Sequence, residues 1–322
     1  MRAISTVVRK TASVPRSAVD FRSLRRGVLV DADEWGSASL EGRIRMRAHA
    51  VALQARDVPV ACGTTAAALH GLPLVGVADD RVHVVSSAAN PAKSRGDIVR
   101  HHVPLPPEDI DSVDGLLVTS IARTVFDVIR MLRIEGAVAC MDAALRAVSW
   151  SDGTRTVDEA SSAALRSEIR RRVLAAPGSR GIRTARIAIE LADPRSQLPG
   201  ESISRVRMWQ LALPAPTRQI RVRTPNGDTF PDFAWPALRR FGEFDGAVKL
   251  SDPRYTKGRT VDEILADQSR RRADIEAATG WTGMHWGWPH IQDESTFGRT
   301  LRAQGASRSL VSIPAGFSSS LT

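Results

Sequence analysis

Three acidic residues in two short apolar runs are the first sign of chemistry in this chain. Asp232 follows Pro231, and Glu243 and Asp245 flank Phe244 just ahead of Gly246. An Asp at the edge of one strand and a Glu/Asp pair in the next can converge on one divalent cation. Hard cations take oxygen ligands, and Mg²⁺ usually takes one or two carboxylates, leaving water and phosphate to complete its octahedron. That is the arrangement metal-assisted phosphodiester hydrolysis requires. Glu201, opening a helix upstream, supplies a further carboxylate. Singly, each residue has a plainer reading. Pro-Asp and Asp-Gly are common turn dipeptides, and a Glu in a first helical turn suits the helix dipole.

The elements that must position these residues are readable from the pattern. A helix is expected from Glu201 to Leu213. Gln219 to Arg223 alternates, Pro225-Asn226-Gly227-Asp228 is a turn, and Thr229 to Trp235 reads as the returning strand. Arg240 to Asp245 is a third strand, and a long charged helix runs from Val261 to about Thr279. Its Arg270-Arg271-Arg272 run spreads round roughly 200° of the helix, so it cannot form a single clamp. Such a run is usually a solvated face, and beside a nuclease site it could touch DNA backbone.

The order Glu201 (helix), Asp232 (strand), Glu243-x-Asp245 (strand) resembles the PD-(D/E)XK nuclease superfamily. The run Glu243 to Lys249 resembles its very-short-patch-repair-like branch. The resemblance covers about 180–291 and includes Leu213-Pro214-x-Pro216-x-x-Gln219 and the Gly280-Trp281…Trp286 strand. It implies a restriction-endonuclease-like domain with a central mixed sheet flanked by helices. It also implies Mg²⁺ (or Mn²⁺) held by Glu201, Asp232 and Glu243, with Asp245 assisting and Lys249 orienting water or stabilising phosphate charge. Two departures stand out. The superfamily's lysine, two residues after the acid, is Asp245 here, and the branch's His is Lys249.

In the first half, Ser17 to Arg26 reads as a short helix and Arg26 to Val30 as a strand, like the wing of a truncated winged-helix module. This start resembles a different family, the AbiEi-type antitoxins. Ser39 caps a helix to about Arg56. Val58 to Ala61 reads as a strand and Gly63 to Leu69 as a helix. Strands follow at 81–86, 98–103 and 116–118, then a helix from Ile121 to Leu132. Thr119-Ser120-x-x-Arg123-Thr124-x-x-Asp127 is the second signature shared with those antitoxins. Arg123 and Asp127, four apart, read first as an intrahelical ion pair, and His70 as a packed, hydrogen-bonded histidine. Two further helices, 135–148 and 157–174, lead to a break at Ala175-Ala176-Pro177-Gly178-Ser179.

The chain has 322 residues, a net charge of +10, and 45 basic residues of which only four are lysine. Excess positive charge favours polyanions, and arginine suits phosphate and guanine edges. Codon drift in a GC-rich gene produces the same bias. Arg16, Arg22, Arg25, Arg26, Arg270, Arg271 and Arg272 are the candidate nucleic-acid contacts. Cys62 and Cys140 read as buried free thiols, no Cys/His cluster has zinc spacing, and no apolar run is long enough to span a membrane.

The fold class expected is therefore α/β (α+β). Its parts are a basic N-terminal remnant (1–38), an AbiEi-like middle domain (39–175), a nuclease-like domain (180–291) and a disordered tail (305–322). The leading expectation is a cytoplasmic, DNA-directed, Mg²⁺-dependent endonuclease-type protein. The alternative is a non-catalytic AbiEi-like antitoxin or transcriptional regulator, with DNA and a cognate toxin as partners.

Overall fold

The computed structural model describes residues 7–9, 20–57, 59–86, 94, 96–246 and 260–306. The chain is mixed α/β and divides into two compact units, 1–194 and 195–322.

The first unit opens on a small antiparallel sheet of order β1-β3-β2, with β1 Val8–Arg9, β2 Phe21–Arg25 and β3 Val28–Asp31. The helix expected up to Arg26 is thus a strand over its described part. Gly27, at φ 74°, makes the tight turn that folds β2 back on β3, a conformation glycine adopts at little cost. Helix α1 (Ala32–Ser37) and helix α2 (Leu40–Gln54) follow, α2 capped by the Ser39 side chain accepting from the Gly42 N–H. Val30, Trp35 and Met46 form the small core beneath the sheet.

Helix α3 (Gly63–Leu69) is buried along its whole length, as its run of small residues requires. It packs beside the parallel pair β4 (Val82–Val85) and β5 (Ile98–His101). The expected strand at 58–61 survives in the described residues only as isolated bridges from Ala61 to Val84 and Val118. A hairpin, β6 (Ile110–Val113) and β7 (Leu116–Thr119), turns at Asp114-Gly115; its first strand went unread in the sequence. The core here joins Val51, Leu69, Val82, Val84, Ile98 and Val118.

Four helices complete the unit: α4 (Ile121–Ile129), α5 (Ile134–Ser149), α6 (Glu159–Leu174) and α7 (Ile182–Leu191), with a short ribbon β8–β9 (Trp150–Ser151, Thr156–Val157) between α5 and α6. The second domain was expected from 180, but α7 closes the first unit. Its Ile182, Ala185, Ala188 and Ile189 are buried, and Arg166 of α6 donates to the carbonyls of Ile189 and Ala192. A Cβ on Gly181 would lie 1.9 Å from the Arg130 carbonyl oxygen. Pro177-Gly178 is therefore a turn inside the unit, and the division falls after Pro194.

In the second unit, helix α8 (Pro199–Gln210) precedes a hairpin, β10 (Val222–Thr224) and β11 (Gly227–Thr229). The returning strand expected from Thr229 to Trp235 is split. Pro231 lacks the N–H that a continuous ladder needs, and Phe233–Trp235 (β12) joins a separate sheet. That sheet is mixed: β12 is antiparallel to β13 (Arg240–Asp245), and β13 is parallel to β14 (Thr282–Gly287). Thr217 bridges to Ala234 on the other side of β12. Between β13 and β14 runs α9 (Val261–Thr279), started by a Thr260–Glu263 capping box, and α10 (Glu294–Ala303) follows β14. Residues 307–322, most of the expected disordered tail, lie outside the described residues.

Candidate functional site

The two faces of the second unit's sheet are assigned by register. Phe233, Gly242, Met284 and Trp286 lie on one face, with Phe244 in the same alternation. Helix α8 covers this face: the Trp286 indole N–H donates to Ser204 Oγ at 2.8 Å. A Cβ on Gly200 would fall 2.1 Å from the Phe244 ring, and one on Gly242 2.3 Å from Trp286. Both glycines are there for close approach.

Phe241, Glu243, Asp245, Gly283 and His285 lie on the other face, toward α9. Asp232 is next in register after the Phe233–Gly242 pair, which sets it beside Glu243 on the neighbouring strand. Its Oδ2 accepts the Phe244 backbone N–H at 2.9 Å. Glu243, 7% exposed, meets Arg271 of α9, whose Nη2 is 2.9 Å from Oε1. Arg271 also donates to Thr229 Oγ1 (3.0 Å) and the Phe230 carbonyl (2.7 Å). Asp245 Oδ2 is 3.8 Å from His285 Nδ1. Arg272 contacts the far nitrogen of that imidazole and binds Glu276 Oε1 at 3.0 Å and the Gly283 carbonyl at 3.1 Å. Burial holds His285 below the usual imidazole value; Asp245 opposes that and Arg272 reinforces it.

Glu201 is buried in the first turn of α8, the helix on the opposite face, and its Oε2 accepts the Gln197 N–H at 3.0 Å. Lys249 and Arg16 lie outside the described residues. The sequence-predicted acids are thus only partly assembled: Asp232, Glu243 and Asp245 share one face, and Glu201 belongs to the helix covering the other. Among the described residues no group of three or more His, Cys, Asp or Glu side chains is arranged to hold a metal ion. The donor set does not fit Mg²⁺. Glu243 faces a guanidinium, Asp232 Oδ2 takes a main-chain N–H, and the position two after Glu243 carries a carboxylate where a cation is needed.

The arginines proposed for nucleic acid also find internal partners. Arg270 pairs with Asp267, Arg271 with Glu243 and Arg272 with Glu276. Arg25 pairs with Asp97 at 3.2 Å and donates to Gln54. Arg26 is exposed. Arg22, with Arg43 and Arg47 of α2, surrounds the buried Trp35 indole at 5.0, 5.7 and 5.1 Å. Of these three, Arg47 pairs with Asp80, whereas Arg22 and Arg43 have no carboxylate partner among the described residues.

In the first unit, the Thr119–Asp127 signature is a start signal for α4 joined to a charge network. Ser120 Oγ accepts the Arg123 N–H, Thr124 Oγ1 donates to the Thr119 carbonyl, and His70 Nε2 lies 2.8 Å from that same carbonyl oxygen. Arg123 meets Asp127 at 2.8 Å, as expected, and also Asp109 at 3.0 Å. Asp109, 2% exposed, is gripped by Arg172 of α6, which in turn holds Glu168. Burial pushes the Asp109 carboxyl up, but hydrogen bonds and charge from Arg172 and Arg123 outweigh it and hold it below the usual value. Asp109 and Arg172, 63 residues apart, carried no local signal. A cavity of about 160 Å³ adjoins this network, lined by Cys62, His83, His101, Thr119, Arg123 and Asp127. Both cysteines are buried free thiols, with burial pushing each up to about 12.

The chain is mixed α/β, and residues 59–175, within its first unit, are similar to the AbiEi antitoxin C-terminal domain. Two proteins of Mycobacterium tuberculosis are 32% identical to the chain over 232 residues, covering 68% of this chain and 79% of each relative. They are the "Uncharacterized protein MT2308" of strain CDC 1551 / Oshkosh and the "Uncharacterized protein Rv2248" of strain ATCC 25618 / H37Rv. The chain belongs to the same family as these mycobacterial proteins. No solved structure matches it.

Proposed function

We propose that the chain is a non-catalytic, AbiEi-like antitoxin or transcriptional regulator. In this reading it acts in the cytoplasm, its N-terminal basic module grips DNA backbone, and its middle domain takes a cognate toxin. The match of residues 59–175 to the AbiEi antitoxin C-terminal domain carries the reading. Arg22 and Arg43 beside Trp35 support the DNA part, since guanidiniums without a carboxylate partner among the described residues are available to neutralise phosphates. No described helix is long and apolar enough to cross a membrane. A mobility-shift assay with duplex from the chain's own promoter, beside a scrambled duplex, tests it. A salt-sensitive shift is expected; no shift at low salt defeats the DNA-binding part.

A second reading, a Mg²⁺-dependent endodeoxyribonuclease, draws support from the order helix, hairpin, strand, strand, helix, strand and from the register that sets Asp232 beside Glu243. Glu201, Asp232 and Glu243 would be its metal ligands, with Asp245 and Lys249 completing the site. The Arg271–Glu243 pair weighs against it. Plasmid cleavage with Mg²⁺ or Mn²⁺, wild type beside Asp232→Asn, separates the two readings.

A further inference from the structure

Three oxygens, one from β13 and two from the end of β11, converge on one cationic head. Glu243 Oε1 of β13, Thr229 Oγ1 at the end of β11 and the Phe230 carbonyl all lie 2.7–3.0 Å from nitrogens of the Arg271 guanidinium. A carboxylate, a hydroxyl and a carbonyl are the donor types a hard divalent cation takes. The Thr229 and Phe230 contacts are N–H···O hydrogen bonds and the Glu243 contact is an ion pair, so the set is gathered around a planar guanidinium. Next to it, the second acid of the strand faces His285, itself contacted by Arg272. The third acid, Asp232, has one oxygen on the Phe244 N–H.

We infer that Arg271 supplies from within the chain the positive charge that a divalent cation would bring to Glu243, making this carboxylate self-neutralised and independent of metal. A cation entering beside Glu243 would have to displace a guanidinium held by two hydrogen bonds and an ion pair, and two positive charges at that distance repel strongly where the burial of Glu243 reduces screening. Arg271 is legible as an inward residue. It stands seven after Ile264 and four before Ile275, the buried residues of α9, so its stem lies on the stripe facing the sheet and its head reaches Glu243. The inference rests on the non-catalytic reading of this site and gives it a cause.

The test is a Mn²⁺ titration of the full chain by calorimetry and by thermal unfolding. Wild type should show no saturable Mn²⁺ site and no Mn²⁺-dependent stabilisation. Arg271→Gln, which removes the charge, should bind Mn²⁺ at least about tenfold more tightly than wild type, and adding Glu243→Gln should abolish the gain. Saturable binding by wild type as tight as by Arg271→Gln would overturn the inference, as would a folded Arg271→Gln that binds no better. The wild-type titration decides by itself if Arg271→Gln fails to fold. Plasmid cleavage run alongside separates this inference from the functional reading. Wild-type Mn²⁺ binding without cleavage overturns only the self-neutralised site, whereas Mn²⁺ binding with cleavage overturns both.

Discussion

Arg271 Nη2 and Glu243 Oε1 lie 2.9 Å apart, tying helix α9 to the central strand of the mixed sheet. Glu243 is almost fully buried, while the Arg271 side chain keeps 43% of its surface exposed. The pair is therefore asymmetric: most of the desolvation falls on the carboxylate, and the guanidinium compensates it. Removing Arg271 should cost more than removing both partners together. With the partial exposure of the arginine discounted, Arg271→Gln should lose about 1–3 kcal/mol of stability. The double variant with Glu243→Gln should recover part of that loss in urea unfolding. Strict additivity of the two changes would mean the pair contributes no coupling.

The charge network of the first unit makes a stronger claim on stability. Asp109 sits between Arg123 and Arg172 and is the one fully buried member. Asp109→Ala should cost about 3–5 kcal/mol, the usual loss when one partner of a buried pair is removed. Arg130→Ala, which removes the half-buried arginine 3.2 Å from Asp127 at the edge of the network, should cost less, about 1 kcal/mol. Equal losses from the two variants in chemical denaturation would contradict the burial argument.

Acid should loosen the β4–β5 region. His83 Nδ1 and His101 Nε2 are 3.1 Å apart, so at least one ring must stay neutral to keep the contact. Burial first, and then the neighbouring imidazole, lowers the His83 value, with Asp79 opposing and Arg81 reinforcing. For His101, burial leads, Asp127 opposes and His102 adds to the lowering. With folded values below the unfolded one, the unfolded chain binds more protons as pH falls. Stability should thus be level above about 6.5 and decline below it. Asp109 adds a second loss further into acid, below about 4, since its folded value is also depressed. Unfolding free energies measured across this range should fall with pH, and His83→Gln should flatten the upper part. A profile unchanged by that variant would contradict the assignment.

DNA binding, if it uses the Trp35 cluster, should depend unequally on the N-terminal arginines. Arg25 is occupied by Asp97 and Gln54, whereas Arg22 and Arg43 are not so held. Arg22→Ala and Arg43→Ala should each reduce the salt slope of binding by about 0.9, and Arg25→Ala by less. Equal effects from all three in a salt series would show that internal pairing does not ration these side chains.

How much was legible depended on whether the signal was local. The α9 span and the β13 span followed from helical spacing and alternation, and so did the Arg123–Asp127 pair, four residues apart on one helix. Phe21–Arg25 was misread because basic residues before a glycine do not distinguish a last helical turn from a hairpin. The strand through Pro231 was read as continuous although the proline divides it. The place of α7 depended on packing against α4, α5 and α6, which no local pattern carries. The candidate acids were found, but the contacts of Arg271 and Arg272 with the sheet were not, because a run of three arginines hides which of them reach it.

The central proposal is that this chain is a DNA-binding regulator whose second unit does no phosphodiester chemistry. Incubating wild type with supercoiled plasmid in Mg²⁺ or Mn²⁺, while measuring binding to the same DNA in the same buffer, tests it most directly. The account predicts salt-sensitive binding with the plasmid left intact, and the same result for Asp232→Asn. Metal-dependent nicking or linearisation by wild type that Asp232→Asn abolishes would contradict it.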